Sequence, residues 1–271
     1  MLVRLGGAAV ILLVVLAATR PGVLAAIRGD GPALLLYGLL AMAGVQIAFF
    51  NALRYLPVPI ALLLEYTGPI LVIGWVWLVR RQPPSARTVV GAGIALVGLS
   101  LVVQVWSGVG LRWEGLAWGL AAAVCQASYF LVADRAGTAT PPLVLAGVGM
   151  SVGAVVVALL GAVGLLPLVI DTSATGVLLA GADVGWPVAA GLLVVVSTVI
   201  AYLTGVAAIA RIGAARGSLV ALLEVVASAL ASWLLLGQVP AAVQALGGAL
   251  ILAGVAMTNT ARPAALAEPG P

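Results

Sequence analysis

Histidine and lysine are absent from the 271 residues, and cysteine occurs once, as Cys125. Without histidine, the usual side chain for general acid/base work, serine triads and metalloprotease motifs is missing. A single cysteine cannot close an intrachain disulfide or build a Cys-rich metal site, and its apolar neighbours make it a packing thiol. Charge is also scarce. Twelve arginines and eight acids amount to 7% of the chain, against about 25% in an ordinary soluble domain. A water-soluble globule is therefore excluded, and catalytic, metal and cofactor sites are not expected. The formal charge of +4 does not mark a nucleic-acid partner, because the arginines stand singly between apolar runs and form no patch.

Apolar residues make up 64% of the chain. A membrane-spanning helix needs about 20 of them to cross about 30 Å of hydrocarbon. Nine such runs emerge, at about 3–19, 33–54, 57–79, 86–106, 114–134, 141–166, 186–210, 217–236 and 240–259. The fold class expected is an all-α polytopic membrane protein, its main partner the lipid bilayer. Connections are short, and the longest, Asp171 to Asp183, reads as a plain loop. Residues 261–271 read as a disordered tail. A cleavable signal peptide at the N-terminus is disfavoured, because Arg20 and Pro21 separate the first apolar stretch from Val23-Leu24-Ala25-Ala26 and eight spans follow.

An internal repeat fixes the architecture further. Ala61-Leu-Leu-Leu-Glu65 recurs as Val220-Ala-Leu-Leu-Glu224, each about eight residues into an apolar helix. A second helix follows each, with matched glycine spacing: Gly91 and Gly98 in the first copy, Gly247 and Gly254 in the second. The interval between the glutamates corresponds to a five-helix unit, and an odd unit inverts the second copy in the membrane.

These residues resemble the drug/metabolite transporter superfamily, specifically its EamA-type exporters of two inverted five-helix repeats. The resemblance rests on Asn51-Ala-Leu-Arg-Tyr-Leu-Pro57 leading into Leu64-Glu65-Tyr-Thr-Gly-Pro69, and on Ala208-Ile-Ala-Arg-Ile-Gly-Ala214 leading into Leu223-Glu224. It also includes Trp233-Leu-Leu-Leu-Gly237 followed by the Gly247 to Gly254 stretch. The Leu-Glu-Tyr-Thr-Gly-Pro form is similar to the branch with threonine/homoserine exporters. Tyr66 and Val225 follow the glutamates where the family often has Pro, and Gln238 stands where an acid often closes Leu-Gly-Glu. The resemblance implies an incomplete first repeat over 1–108 with four helices, a complete second over 114–260, and a bacterial inner-membrane exporter of a small metabolite, such as an amino acid, working by alternating access. Because the helix that opens the second repeat has no counterpart before residue 3, the chain is expected to be an N-terminally truncated form from a misplaced start site. The full product would carry about 25–35 further residues and one more span.

Arginine counts orient the chain. Arg20, Arg28, Arg80, Arg81, Arg87, Arg135, Arg211, Arg216 and Arg262 fall on one side; Arg4, Arg54 and Arg112 fall on the other. The richer side is expected in the cytoplasm, with the C-terminus. Trp106, Trp113, Trp186 and Trp233 then mark the outer interface and Trp75 and Trp77 the inner one.

Glu65 and Glu224 are the candidate substrate or proton sites. An ionised carboxylate at mid-membrane costs roughly 2.5–3.5 kcal/mol on insertion scales, so each needs a partner or a function. Inversion is expected to place Glu65 toward the outer half and Glu224 toward the inner half. Gly68 and Pro69 are expected to break the first of these helices, since Pro69 removes the donor to the Glu65 carbonyl. Ser228 restores that amide in the second repeat, so the break is expected in one half only. Gln126 and Tyr129 share a helix face that lines the cavity in the family, and Tyr66 and Gln46 join them as candidate contacts. Loss of the first helix is expected to leave Gln46 and Glu65 open to lipid. The remaining polar groups in spans, Asn51, Thr67, Ser128, Ser197, Thr198, Tyr202 and Thr204, are expected to bond between helices. The glycine stripes allow close packing within the bundle or at a homodimer seam. A non-transporting membrane scaffold and a polytopic membrane transferase are the alternative functions; the latter lacks its acidic metal clusters or histidine base.

Overall fold

A computed structural model describes residues 1–19, 23–104, 112–135, 140–166, 176–179, 182–237 and 239–259. Among them, eight helical segments are long and apolar enough to cross a membrane, and a ninth apolar helix is slightly shorter. The molecule is an all-α multi-pass membrane protein. The tail at 261–271, the Gln238 departure and Trp106 lie outside the described residues.

The first helix is α1 (Leu2–Thr19), followed by α2 (Val23–Leu36), a π-helical stretch Tyr37–Gly44, and α3 (Val45–Ala52). The second span thus starts well before residue 33, with a kink at Asp30 (φ −126°, ψ 22°) just ahead of Pro32. Next come α4 (Val58–Glu65), α5 (Gly68–Leu78), α6 (Ala86–Val103), α7 (Trp113–Ala133) and α8 (Pro142–Ala162). After β1 (Gly176–Leu179) and β2 (Ala182–Gly185) follow α9 (Trp186–Val194), a second π-helical stretch Val195–Ile200, and α10 (Ala201–Ile212). The chain then forms α11 (Ala214–Ala221), α12 (Leu223–Leu236) and α13 (Ala242–Asn259).

The plain loop expected between Asp171 and Asp183 is instead partly an antiparallel ribbon, with Gly176 opposite Gly185 and Leu179 opposite Ala182. Val177, Leu178, Leu179 and Val184 are strand-forming residues in a segment too short to cross a bilayer.

Helix starts follow local rules. The Ser85 hydroxyl accepts from the Thr88 amide at 3.1 Å, an N-cap for α6, and Pro sits in the first two positions of α4, α5, α8 and α9, where its missing N–H costs nothing. Side chains face outward as a lipid environment demands: Leu78 is 71% and Leu234 76% exposed. The core runs along one face of α1, through Leu5, Ala8, Leu12 and Leu16, against α8 and α9.

The glycine stripes meet each other. A Cβ on Gly98 would lie 2.5 Å from the Gly247 carbonyl oxygen, and one on Gly91 would lie 2.6 Å from that of Gly254. Both stripes therefore face inward, and α6 and α13 cross antiparallel with backbones in direct contact. This satisfies the stripes inside one chain.

Contacts at helix ends agree with alternate crossing. Arg80 after α5 pairs with Asp134 after α7, and the Asp134 carboxylate also accepts from the Ala214 amide at the start of α11, at 3.1 Å. Thr140 before α8 donates to Asp30 in α2. At the other face, Gln244 in α13 donates to the Val102 carbonyl near the end of α6 at 3.3 Å. Each pair joins ends that nine successive crossings put on one side.

Candidate functional site

One cavity of about 930 Å³ collects the candidates: Gln46, Glu65, Tyr66, Gln126, Tyr129 and Glu224 all line it. Its size falls in the roughly 300–1,000 Å³ range of small-molecule sites. Gly68 and Pro69 do not line it; both are buried at the start of α5.

Three local departures from α-helix build its walls. In the first repeat the chain is interrupted at Tyr66–Thr67: the Thr67 amide bonds back to Leu64 (3.1 Å) and the Ile70 amide to Thr67 (2.9 Å), tight turns either side of the proline. In the second repeat a milder interruption falls at Leu222, with i to i−3 bonds from Leu222 to Leu219 and Val225 to Leu222, both 3.1 Å. The expectation of a break in one half only is thus corrected. Tight turning needs no proline, and Ser228 restores an amide six residues beyond the turn that changes. The third departure is the pair of π-helical stretches, in the corresponding helix of each repeat. Ala41 stands on the first and Ser197 on the second, both lining the cavity. Widened turns of this kind recur at functional sites.

Glu65 and Glu224 both line this one cavity. Glu65 accepts from the Gln126 carboxamide at 3.4 Å, a contact between α4 and α7. Gln126 reaches this place because Gly68 leaves room: a Cβ there would meet its Oε1 at 2.6 Å. The small size of Gly68 serves Gln126 directly. Tyr66, the residue after the first glutamate, lines the cavity together with Glu224. Tyr129 packs edge-on to Tyr202 (ring centroids 5.7 Å) and tilted against Tyr37 (5.9 Å).

Gln46 is buried, 9% exposed, which corrects the expectation that it opens to lipid. Its helix α3 is packed against α7, and Glu65 is half-buried. The expectation of interhelical bonding by small polar groups is also corrected. Asn51, Thr67, Ser128, Thr198 and Thr204 bond to carbonyls three to five residues back on their own segments. A short side chain reaches that carbonyl before it reaches a neighbouring helix.

Two features escaped the sequence reading. Arg4, read as an interfacial charge, lines the cavity together with Tyr202, and its helix α1 packs against the π-helical stretch just before Tyr202. Its signal was position: an arginine inside the first apolar run. Asp134, beside Arg135 at a helix end, was not singled out in the sequence, yet it joins α7 to α5 and α11.

The sequence pattern of the EamA-like transporter family matches residues 1–104 and 113–260. Threonine/homoserine exporter RhtA of Salmonella typhimurium is 35% identical over 130 residues, 48% of this chain and 42% of the exporter. The matched segment thus spans less than half of that relative. The uncharacterized inner membrane transporter YicL of the same species is 26% identical over 234 residues, 86% of this chain and 74% of YicL. A solved crystal structure superposes with a TM-score of 0.75 at 20% identity, covering 94% of this chain and 84% of that one; at that identity the likeness concerns the fold.

Proposed function

The chain belongs to the EamA-like transporter family, and from that premise we propose that it is a bacterial inner-membrane secondary carrier that exports a small metabolite, an amino acid or related amphiphile, by alternating access. The observation that carries this reading is the meeting of Glu65 and Glu224, one from each inverted repeat, on one cavity. Two carboxylates at mid-membrane are costly to keep, and the cost is offset when they take up one positive charge. The substrate's ammonium group or a coupling proton supplies it. Gln126 holds Glu65 in place, and Tyr66, Tyr129 and Gln46 complete the wall.

The Arg80–Asp134 pair, together with the Ala214 amide, ties α5, α7 and α11 at one end of the bundle. In this reading it closes the cytoplasmic end, and alternation breaks it. Removing Arg4 from the interfacial arginines sharpens the orientation, since Arg54 and Arg112 alone then stand against the nine on the cytoplasmic side. Membership of a transporter family supports transport rather than chemistry as its activity.

Counterflow in proteoliposomes tests the reading. Vesicles loaded with unlabelled L-threonine, the amino acid in the name of RhtA, or with a panel of other small amino acids, are expected to take up labelled tracer saturably. Tracer uptake no faster than in protein-free vesicles across the panel would contradict it.

A further inference from the structure

We propose that Arg4 and Tyr202 form a carboxylate-recognising wall of the cavity, opposite in charge to the Glu65 and Glu224 wall, so that the site selects molecules bearing both an ammonium and a carboxylate. The inference rests on the carrier reading above and names the substrate class by its two charges.

The argument begins with cost. Arginine stays charged in any protein setting, and a charged side chain inside a membrane span marks a pathway or a partnered site. Arg4 stands in α1, one residue from Leu5, which is fully buried. Its own side chain is half-buried and borders the cavity. The ion pairs seen at Arg80–Asp134 and Arg112–Glu114 do not involve Arg4, which among the described residues is not ion-paired with either cavity glutamate. Arg4 lines the same cavity as both of them and as the neutral Tyr202, which lies just after the π-helical stretch that α1 packs against. A cation and two anions thus share one cavity without closing on each other.

Such a separation suits a dipolar guest. The guanidinium fork matches a carboxylate with two parallel hydrogen bonds, and Tyr202 adds a hydroxyl beside it. Glu65 and Glu224 face the other charge. A simple amine would leave Arg4 unmatched, and a simple acid would leave the glutamates unmatched, each at the penalty that attaches to an unpaired buried charge. The edge-on rings of Tyr129 and Tyr202 give the wall between them an apolar face for the rest of the molecule. Tyr202 is positioned by the π-helical stretch that ends at Ile200, so the widened turn has a consequence at the site.

The experiment compares L-threonine with L-threoninamide, which keeps the ammonium and the side chain but replaces the carboxylate with a neutral amide. Binding of each to the purified full chain is read by ligand-induced thermal stabilisation. The wild type is expected to bind L-threonine more tightly. Arg4→Gln is expected to weaken L-threonine by about tenfold or more while moving L-threoninamide by less than about twofold, because the charge-assisted bonds lost concern the carboxylate alone. Arg4→Lys keeps the charge without the fork and is expected to fall between; it also carries the test if Arg4→Gln does not fold. Equal losses for both ligands, or an unchanged preference for L-threonine in either folded variant, would overturn the role of Arg4 and leave the carrier reading standing. A wild type that binds neither ligand would overturn both.

Discussion

Asp134 serves two helices at once: one carboxylate oxygen pairs with Arg80 beyond α5, and the other accepts from the Ala214 amide at 3.1 Å. The amide is the first of α11, just after Gly213, whose φ of +87° turns the chain sharply between α10 and α11. A single side chain thus ties an end of the first repeat to two helices of the second. Asp134→Asn keeps an acceptor for the amide but loses the charge, whereas Asp134→Ala loses both. Alanine is expected to be the more damaging of the two, with a total loss of about 1–3 kcal/mol. Thermal unfolding in detergent reads the order, and equal melting temperatures for the two variants would show that the Ala214 bond contributes nothing.

The crossing of α6 and α13 leaves no space for a methyl group. Gly98→Ala and Gly247→Ala each push a Cβ to within 2.5 Å of a backbone oxygen, which cannot swing away as a side chain would. Overpacking of this kind costs about 1–3 kcal/mol. Gly93→Ala, on the same helix with nothing within 4 Å, is the control and is expected to be neutral. Equal stability in all three would mean that the helices stand further apart.

Topology is open to a direct reading. Reporters fused at Gln82 and after Arg262 are expected to be active only as cytoplasmic fusions, and one at Ser173 only as an external fusion, because positive residues are retained inside. The reverse pattern would refute the orientation while leaving the fold untouched.

The spans were legible because hydrocarbon thickness imposes a composition on any segment that crosses it, and lipid-facing residues such as Leu78 and Leu234 carry that signal. The pairing of Gly91 with Gly254 and Gly98 with Gly247 was half-visible: equal spacing of seven on two helices suits one face meeting another, but only the structure shows which face. The π-helical stretches were not visible, since Tyr37–Gly44 and Val195–Ile200 are composed like ordinary apolar helix and differ only in where each amide bonds. Thr198 is typical: its hydroxyl turns back to the Leu193 carbonyl, five residues away, at 2.9 Å. Arg4 was misread for a different reason. A positive-inside count treats every arginine near a span end as a flank, and depth within a cavity is a property of three helices rather than of one. The interruption at Leu222 left no trace because it needs neither Gly nor Pro.

The meeting of Glu65 and Glu224 is tested most directly by flux through proteoliposomes containing Glu65→Gln or Glu224→Gln, measured with L-threonine between about pH 5 and pH 8. Glutamine keeps the shape and, at position 65, an acceptor for Gln126, but cannot ionise. Both variants are expected to insert and fold, and each is expected to lose flux by about tenfold or more, or to lose its pH dependence. Wild-type flux and wild-type pH dependence in both variants would contradict a transport role for the pair and leave the two carboxyls as structural hydrogen-bonding groups.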